Sequence, residues 1–156
     1  MVVKNVKNAL KPGQRFSGPS KTLNDAHFVL FSGLTGDVGR IHYDVEYAKQ
    51  TQFQKPLAHG LLLVAMTALG ASNLKNKPEG FIFIEHQCKF LRPAVVGDTI
   101  RPEFLIEKIW QKEHRTFCRI KTTIINQRDE IILEGYQLYR IIPPGQKNKT
   151  GAPVRR

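Results

Sequence analysis

The sequence predicts a single α+β domain in which an antiparallel sheet wraps around one long apolar helix. Helical patterns occupy the first half, and three or four long strand patterns follow one another from Phe81 to Ile142. Strands that run consecutively pair with their sequence neighbours and leave the helices segregated on one side. The stretch Ala58 to Asn73 is apolar nearly all round, with Leu61, Leu62, Leu63, Val64, Ala65, Met66, Ala68 and Leu69, so it must be covered on every side. A chain of 156 residues is long enough to bury one core of this kind without disulfides or metals.

Residues 1–21 are polar and basic and are broken by Pro12, Gly13, Gly18 and Pro19. They read as an irregular or extended lead-in to a domain spanning 22–142, with 143–156 a basic, flexible tail. Thr22-Leu23-Asn24-Asp25 has the capping pattern that opens a helix. That helix carries Phe28, Val29, Phe31 and Ser32 and stops near Gly33 to Gly36. Tyr43 to Thr51 predicts a short helical turn, and Pro56 closes the loop before the apolar helix. Strands are expected at Phe81 to Ile84, at Asp98 to Trp110 after a Gly97 turn, and around Cys118, Ile120, Thr122 and Ile124, which alternate with Arg119, Lys121 and Thr123. Asn126 to Asp129 reads as a hairpin loop leading into a last strand, Ile131 to Ile142, with Asp129 tolerant of positive φ.

Charged residues make up 24% and the apolar set 41%, which excludes disorder over most of the length. The longest apolar run, Leu61 to Leu69, falls short of the roughly 20 residues a membrane span needs. The start, MVVKNVKNALKPG, holds no uninterrupted apolar stretch, so a cytoplasmic location is expected. Cys88 and Cys118 are 30 positions apart, which is neither a disulfide framework nor a zinc spacing. A formal charge of +11 implies an anionic partner: nucleic acid, an acidic carrier protein or a phosphorylated small molecule. Nucleic acid is disfavoured because the basic tail from Gln146 to Arg156 lacks interleaved aromatics and no recognition motif is present.

Two stretches carry possible chemistry. GDVGRIHYD, Gly36 to Asp44, places Asp37 and His42 five positions apart in a glycine-rich loop. A carboxylate and a largely neutral imidazole can together hold and deprotonate a water near neutral pH, although such a pair taken alone also fits a plain turn. Ala58-His59-Gly60 stands at the start of the apolar helix, where unpaired N–H donors suit an oxygen gaining negative charge. Gly60 equally fits close packing against the sheet, and His59 a structural hydrogen bonder.

Taken together, these motifs resemble the MaoC-like hydratase family, the (R)-specific enoyl-CoA hydratases and dehydratases of the hot-dog fold. The family pattern S/T-G-D-x-N-P-I-H-x-D followed by A-x-x-x-x-F-x-x-P-I-A-H-G is met by Thr35-Gly36-Asp37, Ile41-His42-Tyr43-Asp44, Ala48, Phe53 and Pro56-Leu57-Ala58-His59-Gly60. The likeness continues through Phe90-Leu91-Arg92-Pro93, Gly97-Asp98-Thr99 and Asn126-Gln127. It implies a sheet around the helix, a homodimer made by joining two sheets, and an acyl tunnel beside the helix. It further implies that Asp37 and His42 activate the water added to a trans-2-enoyl thioester, giving the (3R)-3-hydroxyacyl thioester, while the Gly60 N–H holds the thioester oxyanion. Arg40, Ala58, His59 and Leu61 would meet the substrate, which carries its own coenzyme A or acyl carrier protein. No further cofactor or metal is implied, and none of the five histidines shows ligand spacing.

The chain departs from the pattern at Gly39-Arg40, which stand where the family has Asn-Pro. Gly39 is expected to leave Asp37 less preorganised, and Arg40 to lower the Asp37 pKa or to recognise an anionic group on the acyl chain. The same departure supports an alternative, a non-catalytic subunit of the same fold that binds acyl thioesters.

Overall fold

The computed structural model describes residues 10–69 and 80–142. Its elements are β1 (Arg15–Ser17), β2 (Lys21–Thr22), α1 (Asp25–Thr35), a 3-10 turn (Arg40–His42), α2 (Val45–Lys49), α3 (Gly60–Met66), β3 (Phe81–Phe90), β4 (Thr99–Lys112), β5 (Arg115–Ile125) and β6 (Ile131–Ile141). All strand pairs are antiparallel, in the order β1-β4-β5-β6-β3, with β2 also on β4.

The alternation read from β5 is the alternation of its two faces. Cys118, Ile120, Thr122 and Ile124 are buried, and Thr122 aligns with Phe104 on one side and Gly135 on the other. Leu62 and Leu63 of α3 pack with Leu23, Phe28, Ala94, Ile100, Ile124, Ile132 and Leu133 in one cluster, so the helix lies on β4, β5 and β6. Each such leucine removed from water contributes about 1.5–3 kcal/mol, which makes α3 the element that ties the layers together. Ile106, Cys118, Ile120 and Ile141 form a second cluster nearer the other end of the sheet.

Several boundaries differ from expectation, most of them for a non-local reason. Thr22 does not cap α1. It lies in β2, aligned with Thr99, and the two hydroxyls are 2.8 Å apart. Asn24 caps instead: its Oδ1 accepts from the His27 N–H at 3.3 Å, and His27 Nδ1 accepts from the Asn24 N–H at 3.1 Å. The apolar helix begins at Gly60 rather than Ala58, because Ala58 N–H donates to the Ala94 carbonyl at 2.8 Å and Leu57 bridges Val95, which keeps both residues extended. It also ends early, at Met66 with Thr67 as its C-cap, so the long helix expected to reach Asn73 is seven residues here. Asn73 itself and the tail 143–156 lie outside the described residues. β3 runs to Phe90 instead of Ile84: a bulge between Phe83 and Glu85 shifts the side-chain parity and hides the second half of the strand from a period-two reading. The lead-in, expected to be irregular or extended, includes β1 and the start of β2, both paired with β4. In the loop after β5, Asp129 takes φ 56°, the conformation anticipated for it.

Candidate active site

Four segments meet around Asp37, and each is placed by local chemistry. α1 ends at Thr35 because Gly36 adopts φ 77°, a left-handed cap whose N–H donates to the Ser32 carbonyl at 2.8 Å. The chain thus leaves the helix directly into Asp37, whose N–H donates to Thr35 Oγ1 at 3.2 Å. Arg40 to His42 then form a single 3-10 turn, and Asp44 opens α2 by accepting the Tyr47 N–H at 2.9 Å.

That turn brings the His42 ring against the segment leading into α3. His42 Nδ1 lies 2.7 Å from the Leu57 carbonyl, and a carbonyl can only accept, so Nδ1 carries the proton. Nε2 is therefore the lone-pair nitrogen of neutral His42, and nothing among the described residues bonds it. His59 lies beneath, its ring stacked on that of His42 with centroids 3.7 Å apart and planes 20° from parallel.

His59 is buried, and its Nε2 is 3.2 Å from both the Asp37 carbonyl and Ser32 Oγ. Donation to that carbonyl places the His59 proton on Nε2 and leaves Nδ1 buried without a partner. Burial above all, and then the neighbouring His42, hold His59 below the ordinary histidine range against the opposing pull of Asp37. Phe31 tilts against the same ring at 4.9 Å, and Phe28 meets it edge-on at 6.1 Å. His59 thus joins α1, the Asp37 loop, His42 and α3 at one point.

One nitrogen or oxygen from each of Asp37, His42 and His59 lies within 4.8 Å of the others. The stacking does not suit one shared metal ion, since imidazole lone pairs lie in the ring plane and an ion in the plane of one ring stands off the plane of the other. The arrangement suits a water held between the Asp37 carboxylate and His42 Nε2.

Gly60 follows His59 as the first residue of α3, where no side chain caps the helix. A Cβ there would stand 3.2 Å from Phe90 Cζ, so the missing side chain admits the end of β3 close to the helix start. Ala58 is buried and its N–H is taken by Ala94, whereas Leu61 projects outward with 70% exposure. Arg40 does not turn to Asp37. Its Nε and Nη2 bond Asp44 Oδ2 at 3.0 and 2.7 Å, and its guanidinium lies 4.7 Å over the Tyr47 ring. Two contributors escaped sequence reading. The Leu57 carbonyl gives no signal at all, while Ser32 is detectable as a polar residue four positions after Phe28, on the inward face of α1. An open groove of about 560 Å³ over β1, β4 and β5, lined by residues such as Arg15, Arg101 and Lys121, shares no residue with this cluster.

The chain matches the family model described as "MaoC like domain" over residues 7–128. It is 27% identical over 134 residues to the (R)-specific enoyl-CoA hydratase of Aeromonas caviae, covering 85% of this chain and 96% of that one. It is 26% identical over 129 residues to a mitochondrial 3-hydroxyacyl-[acyl-carrier-protein] dehydratase of Solanum lycopersicum, covering 82% and 75%. The solved structure of the A. caviae (R)-hydratase superposes with a TM-score of 0.75 at 25% identity, covering 85% of this chain and 98% of that one, and shares the hot-dog α+β arrangement. With the family model spanning most of its length, the chain belongs to the MaoC-like domain family.

Proposed function

We propose that this protein is a hydro-lyase that adds water reversibly to a trans-2-enoyl thioester and yields the (3R)-3-hydroxyacyl thioester. The observation that carries the reading is that His42 Nε2 is left without a partner beside the Asp37 carboxylate while Nδ1 is tied to the Leu57 carbonyl. The two groups hold one water. His42 Nε2 takes a proton from it as the oxygen bonds to C3, and the electron pair of the double bond moves to the thioester carbonyl as an enolate. The Gly60 N–H, unpaired within its helix turn, meets that enolate oxygen, and the proton returns to C2. Leu61, exposed beside Gly60, is the apolar contact for the acyl group. Relatives that act on coenzyme A and on carrier-protein thioesters both resemble this chain, and its charge of +11 suits the phosphates of either carrier.

The working form in this reading is a homodimer. Among the described residues, β3 pairs only with β6, and Ile82, Phe83, Ile84 and Phe90 on that edge strand are 43–53% exposed. A second copy of the chain covers such an apolar edge. The alternative, a binding subunit without turnover, draws support from the thin hold on the Asp37 carboxylate, whose bond from the Gly39 N–H is 3.5 Å long.

Hydration of crotonyl-CoA, followed at the enoyl absorbance band, separates the readings. Loss of the band with a product oxidised by an (R)-specific dehydrogenase is expected. Saturable binding of the ester with no loss of the band would leave the binding subunit.

A further inference from the structure

Gly39 has φ −58° and ψ 127°, a conformation every L-residue adopts, so the backbone does not ask for glycine at this position. It differs in this from Gly13, Gly36 and Gly97, which have positive φ and open space where a Cβ would stand. A Cβ on Gly39 would stand 3.3 Å from His42 Cδ2, 3.6 Å from Asp37 Oδ1 and 3.7 Å from His42 Nε2. The side chain this residue lacks would therefore form a wall directly beside the atoms that hold the water. Gly39 is itself exposed, so the space it leaves opens outward from the pair and not into the core.

Building on the hydratase reading, we propose that Gly39 is a specificity-determining residue that makes room for an alkyl branch on C2 or C3 of the enoyl group. A straight-chain trans-2-enoyl thioester carries only hydrogen at these carbons besides its chain and needs no such room. A methyl branch next to the attacked carbon occupies the volume that a residue 39 side chain would fill. The chemistry around it favours alkyl over carboxylate: the adjacent Val38 is 64% exposed, and the one cation in the turn, Arg40, is already held by Asp44. The substrate class is thus a methyl-branched 2-enoyl thioester.

The test compares kcat/KM for crotonyl-CoA, 2-methylcrotonyl-CoA and 3-methylcrotonyl-CoA, each assayed in the hydration and dehydration directions, in the native protein and in Gly39→Ala and Gly39→Ser. The native protein is expected to turn over at least one branched ester within about tenfold of crotonyl-CoA, or in preference to it. The added Cβ is expected to cut the branched-to-straight ratio by about tenfold or more, the scale of one misplaced carbon in a fitted pocket. Two variants, each checked by circular dichroism and thermal melting, keep a folding defect from being mistaken for loss of selectivity. Native turnover of crotonyl-CoA alone, or a ratio unchanged in both variants, overturns the proposal and leaves the hydratase reading intact. Turnover of none of the three esters overturns both.

Discussion

The exposed turn Gly36–Asp44 and the buried junction Leu57–Gly60 each contribute one histidine to a single stack, yet they solve opposite problems. In the turn, His42 keeps one nitrogen unbonded, and both Asp37 and Gly39 are exposed. In the junction, His59 is buried and spends its one proton on holding the Asp37 carbonyl. Reactive groups need an open face, but an open face cannot position itself, so the rigidity comes from the layer beneath. The difference teaches that substitutions in the turn should cost chemistry, and substitutions in the junction should cost stability first.

The largest effect falls in the turn. His42→Ala is expected to lower kcat on the preferred enoyl thioester by about 10²–10⁴, with a smaller drop in melting temperature from the lost bond to the Leu57 carbonyl and the lost stack on His59. Adding Asp37→Asn to it should cost little more, since two groups that act on one water are not additive. A further loss of comparable size in the double variant would mean that the two act independently.

Next comes the junction. His59→Ala removes a buried ring and leaves the Asp37 carbonyl without its donor, so a loss of about 2–4 kcal/mol is expected in urea unfolding. Its kcat should fall by only about tenfold, and His59→Gln should recover part of the stability through its amide N–H. A variant that lost turnover as fully as His42→Ala while melting normally would place His59 among the reacting groups.

A smaller effect follows from protonation. His59 and His86 are both held below the ordinary histidine range, chiefly by burial. Near neutral pH both states are uncharged at these residues and the stability is fully present. As pH falls below about 6.5 the unfolded chain takes up protons that the folded chain refuses, so stability declines towards acid. The melting temperature should drop between about pH 7 and about pH 5, and His59→Gln should flatten part of that slope. The smallest effect is at the thiols. Burial pushes the Cys118 thiol up to about 12, so alkylation at mildly alkaline pH should spare it until the protein unfolds, while half-buried Cys88 reacts first.

Much of this was legible in the sequence for physical reasons. The alternation through Ile120, Thr122 and Ile124 reports a strand with one buried face. The apolar run from Leu61 reports a helix on the sheet but overstates its cover, since only Leu62 and Leu63 of that helix are buried, Leu61 is 70% exposed and the helix stops at Met66. Asp37, His42 and Gly60 stood out only through their resemblance to the family pattern, since the residues alone fit a plain turn and close packing equally well. What was not legible depends on partners distant in the chain. Thr22 looks like a cap until Thr99 claims it for a strand, and Ala58 looks helical until Ala94 takes its N–H. The proton position on His42 rests on the Leu57 carbonyl, and every residue has a carbonyl, so no side-chain pattern announces it. Arg40 stands three residues from Asp37 in sequence, but the 3-10 turn swings it to Asp44.

The most direct test of the central claim, that Asp37 and His42 activate one water together, is the kcat of Asp37→Asn on the preferred enoyl thioester. The substitution keeps the shape of the side chain and removes its charge, at an exposed position where the fold makes little use of it. A fall of about 10²–10⁴ with an unchanged melting temperature is the predicted result. Turnover within a few-fold of native would contradict the account and move the chemistry away from this turn.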